Sequence, residues 1–148
     1  MISQKAKYAM RALVALAKAQ PGENIFISDI ADSQNIPKKF LEQILLDLKH
    51  GGLVISKRGK TGGYLLLKPA GQISYGEVLR IIDGPLALLP CLSKIAYRRC
   101  DDCVSEQDCE IRHVFARVAD ATRAILDGTT IADSLSAEME QIFSAKAF

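Results

Sequence analysis

Residues 28–67 read SDIADSQNIPKKFLEQILLDLKHGGLVISKRGKTGGYLLL, and the order of signals in this stretch decides the fold. Ser28 is a good N-cap, because its hydroxyl can accept an orphan amide at the start of a short helix over Asp29–Ser33. Gln34, Asn35 and Ile36 leave room only for a tight connection. Pro37 then suits the first turn of a third helix, where its missing N–H would have no partner anyway. Phe40, Leu41, Ile44, Leu45 and Leu48 recur at the helical period and predict a buried face, opposite Lys38, Lys39, Glu42, Gln43 and Lys49. Gly51 and Gly52 stop that helix. Two β runs, Leu53–Ser56 and Tyr64–Leu67, flank the turn Lys57-Arg58-Gly59-Lys60-Thr61-Gly62-Gly63, a hairpin with a basic, glycine-rich tip. Short helix, turn, amphipathic helix, basic hairpin is the order of a winged helix-turn-helix.

Outward from this stretch, Ala6, Ala9, Met10, Leu13, Leu16 and Ala17 predict a first helix over Ser3–Lys18, ended by Pro21 and Gly22. Arg11 and Lys18 interrupt its apolar residues, which argues against a secretory signal. No run approaches the ~20 apolar residues that cross a bilayer, so the expectation is a cytoplasmic protein without membrane contact. Ser74 and Glu77 have capping-box spacing for a helix over Ile73–Ile82, which Asp83-Gly84-Pro85 ends. Residues 85–108 lack a sustained period and read as a loop. A long helix follows from Cys109 to Asp127, with Ile111, Val114, Phe115, Val118, Ala121, Ile125 and Leu126 as a continuous stripe. Such a stripe needs a cover, and a second copy of the chain is the simplest one. Thr130–Leu135 and the tail residues Met139, Ile142 and Phe143 are expected to pack on the same surface. The expected architecture is mainly α with a small β-hairpin wing. Residues 1–84 form a winged helix-turn-helix, and 85–148 form a cysteine-rich loop, a long dimerisation helix and a tail.

The 148 residues are 49% hydrophobic and 24% charged, which suits one ordinary globular domain and excludes a disordered or disulfide-stapled chain. Net charge is +2, but the halves differ: residues 1–68 carry 11 Lys and Arg against 5 Asp and Glu (+6), and the remainder carries 8 against 12 (−4). The basic front points to a polyanion. A recognition helix meets the major groove with its N-terminal part, here Lys38, Lys39, Glu42 and Gln43. Gln pairs with adenine, Glu accepts from cytosine, and Lys reaches guanine or phosphate. Arg58 and Lys60 stand beside glycines that permit close approach to phosphates or the minor groove. Lys5, Lys7 and Arg11 are expected to add phosphate contacts that set register without reading sequence. No Ser/His/Asp arrangement, phosphate loop or catalytic carboxylate pair is evident, and His50 and His113 are the only histidines, so an enzyme is not expected.

All four cysteines, Cys91, Cys100, Cys103 and Cys109, fall within 19 consecutive residues. Clustered thiols favour a metal site or redox chemistry over a structural disulfide framework. Four soft thiolates suit an iron–sulfur cluster, [2Fe-2S] or [4Fe-4S]. Structural zinc is a rival, although zinc modules pair two C-x-x-C knuckles and only Cys100 and Cys103 form one here. A thiol–disulfide switch is another. His113, one turn after Cys109, reads as an exposed helix-face residue more readily than as a fifth ligand.

The Lys7-Tyr8-Ala9-Met10-Arg11 block, the Phe40-Leu41-Glu42-Gln43 segment, and the wing Arg58-Gly59 with Gly62-Gly63-Tyr64 are similar to those of the iron–sulfur cluster regulator family of winged-helix transcription factors (the IscR/NsrR/RirA/CymR-like group). The resemblance extends over nearly the whole chain, through Cys91 after Leu88-Leu89-Pro90 and Thr130-Ile131-Ala132-Asp133. It implies a homodimeric regulator, a repressor by expectation, that binds palindromic double-stranded DNA and whose affinity a loop-held cluster controls. It also implies base reading by Glu42 and Gln43, a neighbouring contact at Lys39, and a minor-groove Arg58. Cys103 and Cys109 match the spacing of the family's last two cysteines, Cys91 matches the first, and Cys100 is additional. Lys7 and Arg112 stand where two familiar fourth ligands occur in relatives, which makes Cys100 the natural replacement and predicts all-cysteine ligation. Two other functions remain open: a cluster-free thiol-redox repressor, and an iron–sulfur carrier that docks through its winged helix.

Overall fold

Ser3 opens the first helix, its hydroxyl accepting the Ala6 amide at 3.0 Å. That helix is α1 (Gln4–Ala17), and it runs through the chain's main core in a computed structural model that describes residues 1–136. Its small buried residues Ala6, Ala9 and Ala12 let neighbouring backbones approach, while Leu13 and Leu16 fill the space beneath. Helices α2 (Ile27–Gln34) and α3 (Lys38–His50) pack against it. Between them Asn35 adopts φ 50°, a left-handed conformation that asparagine tolerates better than most side chains, and this makes the tight connection. Leu41, Ile44, Leu45 and Leu48 of α3 are fully buried.

Three local expectations are corrected. Helix α2 begins after Phe26, not at a Ser28 cap, and no side chain caps it. The cause is tertiary: Ile25 donates to the Tyr64 carbonyl at 2.9 Å and accepts from the Tyr64 amide at 2.8 Å, so the chain turns helical as soon as that bridge ends. Pro37 lies just outside α3, where its carbonyl accepts the amides of Phe40 and Leu41 at 3.0 and 2.9 Å. Phe40 is 39% exposed instead of sharing the buried stripe. It lies one position off that stripe and packs edge-on against Tyr8, with ring centroids 5.7 Å apart.

Strands β1 (Val54–Lys57) and β2 (Gly63–Leu66) form the antiparallel wing, with Val54 opposite Leu66 and Lys57 opposite Gly63. Helix α4 (Tyr75–Ile82) starts at Ser74, whose hydroxyl accepts the Glu77 amide at 3.1 Å. Only that half of the capping box forms, because the Glu77 carboxylate takes Lys68 Nζ at 2.7 and 2.9 Å. The loop that follows contains a single 3-10 turn at Pro90–Leu92. Helix α5 (Glu110–Gly128) comes next, with Cys109 as its N-cap.

The chain beyond α5 returns to the winged-helix body. Ile131 donates to the Ile73 carbonyl at 2.9 Å, Tyr75 donates to the Thr129 carbonyl at 2.9 Å, and Ile131 is fully buried in the same core as Leu13 and Leu45. Thr130–Leu135 therefore packs on the start of α4, not on the α5 stripe as expected; Tyr75 meets Ser134 there through their hydroxyls. The return is forced by backbone pairing, which apolar periodicity cannot reveal. The tail residues Met139, Ile142 and Phe143 lie outside the described residues. Meanwhile α5 buries only Ala119, and Ile111, Val114, Val118 and Ile125 are 41–66% exposed. Replacing Ile131 by Ala should cost about 2–5 kcal/mol, the range for emptying a closed core site, read as a lower urea midpoint with an unchanged slope; a shift below about 0.5 kcal/mol, the size of an ordinary surface change, would show that the segment is not part of the core.

Candidate nucleic-acid interface and cysteine loop

With its inner face closed, α3 turns Lys38, Lys39, Glu42 and Gln43 outward, and all four are exposed. Proline before the helix leaves the first-turn amides without a side-chain cap, so they add to the positive end of the helix dipole beside two lysines. Gln43 is not wholly free: its Nε2 donates to Asp47 Oδ1 at 3.0 Å, which fixes the amide and leaves its oxygen as the acceptor. Asp47 also pairs with Lys5 at 2.6 Å, and the lysine holds the carboxyl below its ordinary pKa.

That pair changes the reading of α1. Lys5 is engaged with α3, and the Arg11 guanidinium donates to the Gln34 carbonyl at the end of α2 while lying 5.7 Å from the Tyr8 ring centroid. Both have partners within the fold that the expectation of phosphate contacts did not include. Of the three, Lys7 alone is exposed with neither an ion pair nor a side-chain hydrogen bond among the described residues.

The wing is braced at three points. Lys49 Nζ donates to Ser56 Oγ at 2.8 Å, Asn24 Nδ2 to the Thr61 carbonyl at 2.8 Å, and Ile25 bridges Tyr64. Gly63 is required where it stands: at φ 132° an added Cβ would lie 2.5 Å from the Ile25 carbonyl oxygen. Gly62 is equally constrained, since a Cβ there would meet the Lys57 carbonyl at 2.6 Å. The turn is tight, and Arg58 and Lys60 are left exposed at its tip. Sequence reasoning missed the braces, because Asn24 and Lys49 carry no motif of their own.

The cysteine loop is less finished. Cys91 is buried, Cys100 exposed, and Cys103 and Cys109 half-buried; all four are free thiols. Partial desolvation, followed by the charges of Cys91, Asp102 and Cys103, pushes the Cys100 thiol up from its ordinary pKa. Cys109 is held elsewhere, its sulfur accepting the Arg112 amide at 3.4 Å as the cap of α5. Among the described residues, no three of the Cys, His, Asp or Glu side chains converge as a ready metal site. His113 is exposed on α5. The donor chemistry suits a thiophilic metal centre, and residues 94–102 are exposed throughout.

Polar bonds tie α5 to its neighbours. Arg123 of α5 donates to the Leu92 carbonyl at 3.5 Å, and Arg80 of α4 grips Asp127 of α5 through two bonds of 2.7 and 2.8 Å. Gly76 makes room for that carboxylate, since an added Cβ would lie 2.0 Å from Asp127 Oδ1. Tyr97 donates to Glu106 at 2.6 Å, and Arg99 donates to the carbonyls of Cys103 and Val104 at 3.1 and 3.3 Å. These last contacts fold the loop onto itself.

Comparison with known proteins agrees with this arrangement. Residues 2–137 match the Rrf2 family, described as an iron-dependent transcriptional regulator. A putative HTH-type transcriptional regulator of Rhodobacter capsulatus, described as rrf2-like, is 48% identical over 140 residues and covers 93% of both chains. Among solved structures, CymR, described as the global cysteine regulator of B. subtilis, superposes with TM-score 0.74 at 29% identity, covering 90% of this chain and 94% of that one. IscR of T. potens superposes with TM-score 0.69 at 26% identity, covering 100% and 92%.

The ion pairs set an acid limit. Arg80 holds Asp127 below the ordinary carboxylate pKa, as Lys5 does Asp47, and the Thr130 amide and hydroxyl do the same for Asp133. A carboxylate depressed in the folded state contributes stability above its unfolded pKa and loses it as pH falls through the folded value. Urea midpoints should therefore hold steady down to about pH 5 and fall below about pH 4. Asp127→Asn should lower the neutral-pH midpoint and flatten the acid decline; an equally steep decline in that variant would remove the Arg80 pair from the account.

Proposed function

Because the chain belongs to the Rrf2 family and is a transcriptional regulator, not an enzyme, we propose that it works as a cytoplasmic homodimeric repressor whose grip on a palindromic operator is set by an iron–sulfur cluster in the loop of residues 91–109. The observation that carries the reading is the pairing of an exposed polar row on α3, laid over a fully buried inner face, with a braced basic wing.

In this reading Lys38 and Lys39 meet phosphate and guanine at the mouth of the major groove. Glu42 accepts from cytosine, and the fixed amide of Gln43 reads an adenine edge. Arg58 enters the minor groove, and Lys60 lies on phosphate. The uncovered α5 stripe supports the dimer: Ile111, Val114, Val118 and Ile125 are too exposed and too regularly spaced for a helix meant to face water. Two copies packed on these faces place two α3 helices on one side, and a palindrome demands that they lie about 34–36 Å apart, one turn of DNA.

Cys91, Cys100, Cys103 and Cys109 would hold the cluster, which supplies an iron centre that is gained, lost or changed in charge with iron supply or redox state. The chain's own part is mechanical. The loop is anchored at one end by buried Cys91 within the 3-10 turn and at the other by the cap of α5. Ordering the segment between them alters how α5 leaves the body, and so the spacing of the two reading heads. Such a ligand shifts DNA affinity only by the difference in its binding to the two spacings.

Duplex binding should weaken steeply with salt, each phosphate contact contributing a slope of about −0.9 in log–log form. Lys39→Gln and Lys60→Gln should weaken binding across sequences and flatten that slope by about 1 each. Glu42→Ala and Gln43→Ala should instead relax preference at single base positions by about 1–3 kcal/mol, measured by competition among operator variants. Duplex binding that ignores salt, or that all four variants leave untouched, would refute the interface and favour the docking-module reading.

A further inference from the structure

A pocket of about 220 Å³ opens where α4, α5 and the chain entering the cysteine loop meet. Arg80, Arg123 and Lys94 give it positive charge, and Leu86, Ala87 and Ile95 give it an apolar wall. Its single carboxylate, Asp127, is already spent, because both oxygens accept from Arg80 at 2.7 and 2.8 Å. Arg123 is held by Asp120 and by the Leu92 carbonyl. Lys94 is exposed and makes no ion pair or side-chain hydrogen bond among the described residues. Ser93 completes the lining, and at 8% exposure it is the only buried polar or charged residue among those described. Its oxygen accepts the Ala96 amide at 2.9 Å, while its hydroxyl proton has no acceptor among the described residues. The lining thus has donors and positive charge to spare and no free carboxylate to meet them. A buried donor left unmet costs free energy, which an incoming anionic acceptor would recover. Arg123 and Asp127 stand one turn apart on the flank of α5 away from Val118 and Ile125. A second copy packed on the apolar stripe would leave this pocket open.

We propose that the pocket binds a small organic carboxylate, a short aliphatic acid. Its carboxylate lies among Lys94, Arg123 and the Ser93 hydroxyl, and its carbon chain packs on Leu86, Ala87 and Ile95. The volume sets the size: it is smaller than the roughly 300–1,000 Å³ of sites for drug-sized ligands, and suits an acid of about six carbons. The apolar wall selects against an inorganic anion, whose oxygens on that side would face Leu86, Ala87 and Ile95 without donors. Bound there, the acid bridges α5 to residues 86–95 and holds the entry to the cysteine loop against the body. Neither a cluster nor DNA takes part, so failure of this site would leave the operator reading untouched.

The test uses the full chain, purified without oxygen in a buffer free of carboxylates and phosphate. It is titrated calorimetrically with 4-methylpentanoate, with the neutral 4-methylpentanamide and with inorganic phosphate. The expected result is saturable one-site binding of the acid, none of the amide, and weaker binding of phosphate. Lys94→Gln should weaken the acid about fivefold, the scale of one half-exposed ion pair. Lys94→Glu should abolish binding and Lys94→Arg should keep it, with urea midpoints unchanged in all three. The acid should also slow amide exchange in residues 92–96. Absence of saturable binding, equal binding of the amide, phosphate binding tighter than the acid, or undiminished binding in Lys94→Glu would overturn the site. Binding that leaves exchange in residues 92–96 unchanged would overturn the bridge.

Discussion

The structure turns on where Ile131 goes. Buried beside Ile73 and held by backbone bonds to residues 70–75, it anchors the far end of α5 in a core otherwise built by the winged helix. Without that anchor, α5 would be a helix with one buried residue of its own and no reason to hold a fixed direction. With it, and with the Arg80–Asp127 pair set into the space Gly76 leaves, the C-terminal half of α5 is rigid relative to α4. The apolar stripe is thereby presented outward at a defined angle. Any change in how the N-terminal end of α5 is held is felt by the same body that carries α3.

The two ends of α5 are held by different physics. The C-terminal end uses a hydrophobic core and paired backbone, which respond little to solvent composition. The N-terminal end is capped by a thiol and preceded by a loop stitched by a few polar bonds, with Tyr97 on Glu106 and Arg99 on carbonyls. Low packing density and exposed backbone are the marks of a segment that opens at low free-energy cost. The proposed regulation uses that contrast: one end keeps the reading head in place, and the order of the other would depend on the state of the thiols.

Much of this was legible in the chain. Ser74 marked a helix start by its capping chemistry, Leu41 to Leu48 gave the inner face of α3, and the glycines around Arg58 and Lys60 gave the wing. The α5 stripe was visible as periodicity and is uncovered in the folded chain. What escaped was set by contacts distant in sequence. The bridge from Ile25 to Tyr64 overrode a local cap at Ser28, and an aromatic contact with Tyr8 drew Phe40 off the buried stripe. Lys5 and Arg11 had fold partners that a charge count cannot reveal, and the strand-like return at Thr130 has no period to detect. The cysteine spacing marked candidate donors but not their placement: Cys91 is buried, Cys100 exposed, and Cys109 caps α5.

The central claim is that the state of the loop thiols sets the DNA affinity of the dimer. It is tested most directly on protein purified without oxygen, by operator affinity at one fixed salt concentration before and after iron is removed by a chelator. The account predicts a change of about tenfold or more, near 1.4 kcal/mol and within the usual range of coupling between distinct sites. Identical affinity in both states, in a protein shown to have carried and lost iron and sulfide, would contradict it.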